Sequence, residues 1–206
     1  MNYYIADCHF GHQGVLRFDP RPFDTVEEME RVMISNWNAV VSPGDTVYIL
    51  GDFCWGKADD WGRILRRLKG NKVLILGNHD LKQYPPELRR YFADIKEYKE
   101  ITDNGYGSEG RKVILSHYPI PFYKHSNNHR YYMLCGHVHT TEENDYLEKW
   151  TAELREKAVA SMDPHASNLG QIYNVGCMMP WMDYTPRTLD EIVQNREAYW
   201  ERSEEN

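Results

Sequence analysis

Short hydrophobic runs that end in a glycine and a polar residue recur along this sequence. Three segments share that build: Val47–Asp52 reads VYILGD, Lys72–Asp80 reads KVLILGNHD, and Tyr132–His137 reads YMLCGH. Aliphatic and aromatic runs of this length are typical of buried strands. We therefore predict strands over residues 46–50, 72–76 and 131–135, each of which delivers a polar side chain at its carboxyl end.

Amphipathic helices fill the gaps between the first strands. Thr25 followed by Glu28 forms a capping box, which predicts a helix that runs to about Val40. A second helical pattern covers residues 59–69. With a further strand over residues 2–6, strands and helices alternate as far as the third strand. That order predicts parallel strands joined by right-handed crossovers.

The second half of the chain has a different pattern. Two strands are predicted on either side of Asp103–Gly107, whose residues favour a hairpin turn. Residues 144–162 carry Leu147, Trp150 and Leu154 at helical spacing and predict an amphipathic helix. The other elements predicted after the third strand are a short helix near 86–92, strands over 95–101, 111–116, 131–135 and 171–175, and an acidic helix that begins at Thr188.

Composition places the chain among globular proteins. It has 206 residues, of which 41% are hydrophobic and 27% are charged, and this length is enough to bury a core as one domain. The formal net charge is −7, and residues 140–206 hold 14 acidic against 6 basic side chains, so the rest of the chain is close to neutral. A non-specific nucleic-acid binder needs a basic field, which this distribution does not favour.

Neither a membrane segment nor a secretion signal is indicated. No apolar run approaches the ~18 residues of a transmembrane helix, and the first residues lack the basic and apolar regions of a signal peptide. The cysteines at positions 8, 54, 135 and 177 form no close pair, which argues against a zinc knuckle or a redox motif. We expect a cytoplasmic protein with reduced thiols.

Seven potential metal ligands fall at predicted carboxyl ends of strands, the edge at which α/β sheets bind ligands. The pairs Asp7/His9 and His137/His139 are each spaced two residues apart, so on an extended backbone both side chains of a pair could grip one ion. Imidazole, carboxylate and amide donors without a thiolate favour Mn, Fe, Zn, Ni or Co. Seven ligands are more than one tetrahedral ion can bind, and they suit two ions that share a bridging carboxylate. The seven are Asp7, His9, Asp52, Asn78, His117, His137 and His139.

Each of these pieces alone has an ordinary structural explanation, because Gly-Asp and Asn-His-Asp are common in turns and a lone histidine is usually a core or surface residue. Their joint order is more specific. The blocks are Asp7-Cys8-His9, Gly51-Asp52, Gly77-Asn78-His79-Asp80, His117 and Gly136-His137-Val138-His139. In this order they resemble the five blocks of the calcineurin-like metallophosphoesterase superfamily, and they span about two-thirds of the chain.

The resemblance implies an α/β fold, a four-layer α/β/β/α sandwich of two mixed β-sheets flanked by helices. It also implies that the metals activate a bridging water as the nucleophile. His79 would be the acid that stabilises the transferring phosphoryl group or protonates the leaving oxygen, and Asp80 would orient its imidazole. The implied ligand sets are Asp7, His9 and His139 for one metal, Asn78, His117 and His137 for the other, and Asp52 as the bridge.

A narrower resemblance, to a small bacterial and phage-type branch of predicted phosphoesterases, rests on His9–His12, Val15–Phe18 and Arg21–Phe23. The stretch after the last ligand block is longer than in that branch. We therefore interpret residues 142–163 as a helical insertion in a single domain that spans residues 1–206. The helix could cover the protein's own sheet, or dock a partner or a second copy of the chain.

Two residues after the first ligand block are candidates for substrate contact. His12 and Arg17 could meet phosphate oxygens there, although Arg17 could equally pack at the surface. Arg21 is expected to fix the same loop through Asp19 or Asp24.

The sequence thus predicts a phosphoesterase that depends on two divalent metal ions, with Mn, Fe, Ni, Zn and Co as the candidates. The expected substrate is a small phosphomonoester or phosphodiester, and a nucleotide is among the options. Monoesterase, diesterase and nuclease activity stay open, as does a homo-oligomer, while the acidic balance disfavours long nucleic acid. The alternative is a catalytically silent metal-bound scaffold or interaction module, which the intact ligand set disfavours.

Overall fold

Eight strands form two four-stranded sheets in the computed structural model, which describes residues 1–105, 110–160 and 170–204. The first sheet is parallel throughout and has the order β1-β2-β3-β4. In the second sheet β5 and β6 are antiparallel, whereas β6, β7 and β8 are parallel. The strands are β1 Asn2–Ile5, β2 Thr46–Leu50, β3 Asn71–Ile75, β4 Phe92–Lys96, β5 Tyr98–Asp103, β6 Arg111–Ser116, β7 Tyr131–Cys135 and β8 Ile172–Asn174.

The helices follow the predicted order, except that the sequence did not predict the short helix α1. Thr25 caps α2, because its Oγ1 accepts the backbone N–H of Glu28 at 3.1 Å, but the Glu28 carboxylate returns to the N–H of Asp24 and not of Thr25. The bond from Glu28 N–H to Thr25 is thus that of a capping box, whereas the return bond to Glu28 comes from the residue before the cap. The helices are α1 Val15–Phe18, α2 Val26–Val40, α3 Ala58–Leu65, α4 Pro86–Arg89, α5 Glu142–Ala160 and α6 Leu189–Glu204.

The predicted single strand over residues 95–101 is wrong, because the structure has two strands in different sheets there. β4 pairs with β3 in the first sheet, and β5 begins after Glu97 and pairs with β6 in the second. One residue separates the two strands, so the hydrophobic alternation of the sequence gave no sign of the break. The change of sheet at this point lets the chain build its second layer directly after the first.

The two sheets share one core. Val113 and Leu115 of β6 are buried in the same cluster as Ile5 and Ile49 of the first sheet. Because side chains alternate along a strand, Ile114 points to the opposite face. There it packs in a second cluster with Met133 and Cys135 of β7 and with Leu147 of α5. The second sheet therefore has the first sheet on one face and α5 on the other, which agrees with the predicted layered α/β sandwich.

Helix α5 covers the protein's own sheet through Leu147, with Trp150 half-buried beside the same cluster. Its start at Glu142 precedes the predicted start by two residues. The predicted helix end at residue 162, the end of the insertion at 163, and the turn residues Tyr106 and Gly107 lie outside the described residues. Within the described ranges, no helix combines the length and hydropathy that a membrane span requires.

Candidate metal centre

The carboxyl ends of strands from both sheets meet at one edge of the molecule. A parallel bridge joins Ala6 to Gly176, and the N–H of Asp7 donates to the carbonyl oxygen of Gly51 at 3.1 Å. The N–H of Gly136 likewise donates to the carbonyl oxygen of His117 at 2.9 Å. These backbone bonds bring together the ends of β1, β2, β6 and β7, which are the positions where the sequence predicted ligands.

One group of predicted ligands consists of Asp7, His9 and His139, whose ligand atoms all lie within 4.8 Å of one another. Nε2 of His9 is 3.3 Å from Nε2 of His139, which in turn is 3.8 Å from Oδ1 of Asp7. Burial and the neighbouring His139 lower the pKa of His9 to about 2. His9 is therefore neutral and offers a lone pair without competition from a proton.

A second group forms around the amide oxygen of Asn78. This oxygen lies 3.0 Å from Nε2 of His117 and 3.0 Å from Nδ1 of His137. Nδ1 of His117 donates to the carbonyl oxygen of Leu50 at 2.8 Å. Because a carbonyl only accepts, this bond places the proton on Nδ1. Nε2, which faces Asn78, therefore carries the lone pair that could bind a metal ion.

The carboxylate of Asp52 stands between the two groups. Its Oδ2 lies 3.7 Å from Nε2 of His9 and 3.6 Å from Nε2 of His117. Its Oδ1 accepts the backbone N–H of His79 at 2.9 Å, which fixes the orientation of the carboxylate. Asp7 also approaches both groups, since its Oδ1 is 4.0 Å from Nδ1 of His117, and Asp7, Asp52 and His117 form a second cluster of possible ligands.

Five of the seven predicted ligands have a left-handed backbone. Asp7, His9, Asp52, His137 and His139 all have positive φ, between 45° and 73°. The argument that the pairs lie on extended backbone is therefore wrong, and His137 and His139 point to different groups. A left-handed conformation costs an L-residue about 1–2 kcal/mol, and such strain is typically concentrated at functional sites.

Two positions next to the ligands have room only for glycine. A Cβ on Gly51 would stand 2.4 Å from Nδ1 of His117, and a Cβ on Gly77 would stand 2.3 Å from Oδ1 of Asp52. Gly51 also has a φ of +86°, which favours glycine. The glycine that ends each strand therefore makes room for a ligand that another strand delivers.

Asp80 binds backbone groups of two loops. Its carboxylate accepts the N–H groups of Asp52 at 3.1 Å, Phe53 at 2.9 Å and Gly77 at 2.8 Å. Burial raises the pKa of Asp80 to about 6, and the three N–H groups act in the opposite direction. Asp80 thus ties the end of β2 to the end of β3, and the predicted orientation of the His79 ring by Asp80 stays a prediction.

His79 lies at the surface of the site. Its side chain is exposed, and its ring centre is 5.8 Å from that of His9. The ring makes no hydrogen bond with the part of the chain that the structure describes. The exposed ring of His79 is therefore within reach of a molecule bound at the site.

The two candidates for substrate contact differ in their surroundings. His12 stacks on Trp55 with ring centres 4.2 Å apart, and burial together with His79 lowers the pKa of His12. Arg17 is exposed, at the end of α1, and within the described ranges it has no ion pair. The contact of both residues with a substrate stays a prediction.

Asp19 is a residue of the site that the sequence reasoning missed. The expected pair of Arg21 with Asp19 is confirmed at 2.9 Å, and Arg21 also donates to the carbonyl oxygens of Asp7 and Cys8. In addition Oδ2 of Asp19 lies 3.0 Å from Nδ1 of His139. The sequence contained the residue but no periodicity that could place it beside a ligand 120 positions away.

The donor set fits divalent metal ions. Ring nitrogens 3.3 Å apart with carboxylate oxygens close by form the electron-rich pocket that a cation prefers. The combination of imidazole, carboxylate and amide oxygen matches Mn, Fe, Zn, Ni or Co. All four cysteines are buried and free, and none of them belongs to the two ligand clusters.

Two known proteins are similar in sequence to this chain. An uncharacterized protein of Methanocaldococcus jannaschii is 35% identical over 146 residues, which cover 70% of this chain and 72% of the relative. The Gene 66 protein of Mycobacterium phage L5 is 31% identical over 133 residues, 57% of this chain and 62% of the relative. The relatives are thus archaeal as well as phage proteins.

A solved structure is also similar. The crystal structure of a protein of unknown function from Aquifex aeolicus matches with a TM-score of 0.63 and 28% identity, covering 94% of this chain and 98% of that chain. The family model described as calcineurin-like phosphoesterase matches residues 3–182, a range that contains every predicted ligand. The chain belongs to the calcineurin-like phosphoesterase family.

Proposed function

We propose that this protein is a phosphoesterase that holds two divalent metal ions and hydrolyses phosphomonoester or phosphodiester bonds. The observation that carries the proposal is the position of Asp52, whose Oδ2 lies 3.7 Å from His9 and 3.6 Å from His117. One oxygen at nearly equal distance from two groups of imidazoles suits a carboxylate that bridges two ions.

The two groups of side chains support a division of the ligands between the two proposed ions. Asp7, His9 and His139 would hold the first ion, and Asn78, His117 and His137 the second. When bound, two divalent ions supply an activated water as the nucleophile and neutralise the charge on the phosphoryl oxygens. The strained ligand backbone and the buried carboxylates keep the donor atoms in place before an ion binds.

His79 is the proposed acid. Its ring is exposed at the edge of the site and is 5.8 Å, centre to centre, from His9. As water attacks phosphorus, the bond to the leaving oxygen breaks, and a protonated ring nitrogen of His79 would donate its proton to that oxygen. The resulting alcohol then leaves on the side of the site where His79 stands.

A hydrolysis screen tests the proposal. Metal-free protein is reconstituted with Mn, Ni, Fe or Zn and offered a monoester, a diester, a cyclic nucleotide and a single-stranded oligonucleotide. We expect turnover with at least one metal and one ester class, and loss of that turnover in Asp52→Asn. Glu100→Gln, the same carboxyl-to-amide change in an exposed ion pair with Lys124 at 2.9 Å, is the matched control and should keep the activity.

The opposite outcome would favour the scaffold. If the wild-type protein binds two ions per chain and yet turns over no ester, the chain is a metal-bound module without catalysis. If it binds no ions, the assignment of the ligands themselves is refuted.

A further inference from the structure

Three large aromatic side chains stand exposed around the candidate metal centre. Phe18 is 58% exposed, Trp55 is 44% exposed and Tyr118 is 47% exposed. Phe18 ends the short helix α1 after β1, whereas Trp55 and Tyr118 lie in the loops that follow β2 and β6. Exposed apolar rings grouped around a polar site indicate a binding surface. Leaving each ring in contact with water is unfavourable, and a bound molecule that covers the ring would remove this cost.

Each ring lies against a different histidine of the site. The Phe18 ring centre is 5.9 Å from that of His139, and the Tyr118 ring centre is 4.6 Å from that of His137. Trp55 lies 5.6 Å from His79. The indole therefore stands on the side where the leaving group of the proposed reaction would receive its proton.

Trp55 is held rigidly. Its backbone N–H donates to the carbonyl oxygen of Phe10 at 2.8 Å, next to a parallel bridge between Phe10 and Cys54. One face of the indole stacks on the ring of His12 at 4.2 Å with an angle of 27° between the planes. An indole that is supported from one side and exposed to solvent is a preformed stacking platform.

We propose that Trp55 is a specificity-determining residue that stacks on a flat aromatic ring in the leaving group of the substrate, and that the leaving group is a nucleoside. Every nucleobase has a π-face that stacks on an aromatic side chain, whereas a sugar or alkyl phosphate offers no such face. This inference rests on the proposed function for the position of the leaving group. Phe18 and Tyr118 extend the same aromatic surface over the two ligand groups.

Equilibrium binding tests the proposal independently of turnover. Isothermal titration calorimetry on metal-loaded protein compares the non-hydrolysable phosphonate analogues of a nucleoside 5′-monophosphate and of ribose 5-phosphate, which differ only in the base. We expect the nucleotide to bind about 5- to 100-fold more tightly, the range that base–aromatic stacking provides. Trp55→Ala should abolish the difference between the two ligands, and Trp55→Phe should retain most of it.

A distant aromatic residue provides the control. Phe122 is 85% exposed and packs at 5.9 Å against Trp150 of α5, so Phe122→Ala removes an exposed ring without touching a ligand histidine. This variant should keep the wild-type preference. An oligonucleotide and its abasic counterpart, tested in parallel, distinguish a free nucleotide from the end of a single strand as the source of the base.

The possible results separate the two proposals. Equal binding of the nucleotide and ribose 5-phosphate, or a preference that survives in Trp55→Ala, overturns the role of Trp55 even if both esters are hydrolysed. A preference for the base that depends on Trp55, without hydrolysis of any ester, supports the stacking platform and rejects the proposed catalysis. In an active enzyme, Trp55→Ala should raise KM for the nucleotide far more than it changes kcat.

Discussion

Oδ2 of Asp19 lies 3.0 Å from Nδ1 of His139, while the Nε2 atom of the same ring faces His9. Burial alone would raise the pKa of Asp19, but its bonds to His139 and Arg21 hold that pKa below the ordinary value, so the carboxylate stays ionised. An ionised carboxylate on the far nitrogen of a ligand histidine fixes the tautomer and makes the ring a better donor.

We predict that Asp19→Asn weakens metal binding at the first ligand group about 10- to 100-fold, because the His139 ring loses its orientation and part of its basicity. The measurement is a competition titration against a chelating indicator. Asp24→Asn is the matched control, since Asp24 is an exposed carboxyl of the same loop. Equal affinities of the wild type and Asp19→Asn would refute this role.

The positive φ of 73° at His137 leads to a prediction about stability. In most positions glycine is less stable than alanine by about 0.5–1 kcal/mol, but a left-handed backbone reverses that order. In metal-free protein His137→Gly should therefore unfold at a higher temperature than His137→Ala, by roughly 2–4 °C for a difference of about 1 kcal/mol.

Thermal unfolding followed by circular dichroism measures this difference. His79 supplies the control, because it is exposed and its φ is not positive. The glycine variant at His79 should be the less stable of its pair. If alanine is the more stable residue at position 137 as well, the strain argument is incorrect.

The three backbone bonds of Asp80 distinguish two roles for this residue. If Asp80 mainly ties the end of β2 to that of β3, Asp80→Asn should lower the free energy of unfolding by about 2 kcal/mol or more, because an amide cannot accept all three N–H groups. It should also weaken metal binding, since Asp52 would lose its position. Denaturant titration and metal titration measure the two effects.

A different result would favour the role implied by the family resemblance. If Asp80→Asn keeps the stability and the metal affinity of the wild type and lowers only kcat, Asp80 acts through the ring of His79. His79→Ala is the reference variant in this comparison, because it removes the exposed ring and leaves the loops intact.

Much of this architecture could be predicted from the chain. The glycine that follows each of three hydrophobic runs located the ends of β2, β3 and β7, because both a sharp turn and a close ligand require it. The pattern could not reveal that a single residue, Glu97, separates two sheets, since the alternation continues across it. Strand boundaries of that kind depend on long-range pairing, which leaves no local signal.

The candidate metal centre, too, could be predicted from the sequence only in part. Residue type and order were enough to name the seven ligands as candidates, but the backbone conformation at Asp7 and His137 was predicted incorrectly as extended. Tertiary contacts impose a left-handed conformation that these residues do not prefer. For the same reason Asp19 could not be placed beside His139, because the loop that positions it is fixed by Arg21 and by carbonyl groups of the first ligand block.

The division of roles between Asn78 and His79 provides the most direct test of the account. Inductively coupled plasma mass spectrometry measures the number of metal ions per chain in the reconstituted wild-type protein and in the Asn78→Ala and His79→Ala variants. Ester hydrolysis is measured on the same samples. We predict two ions per chain in the wild type and in His79→Ala, with hydrolysis lost in the latter, and one ion in Asn78→Ala. A single ion in the wild type, or the same metal content in Asn78→Ala as in the wild type, would contradict the two-metal centre proposed for this protein.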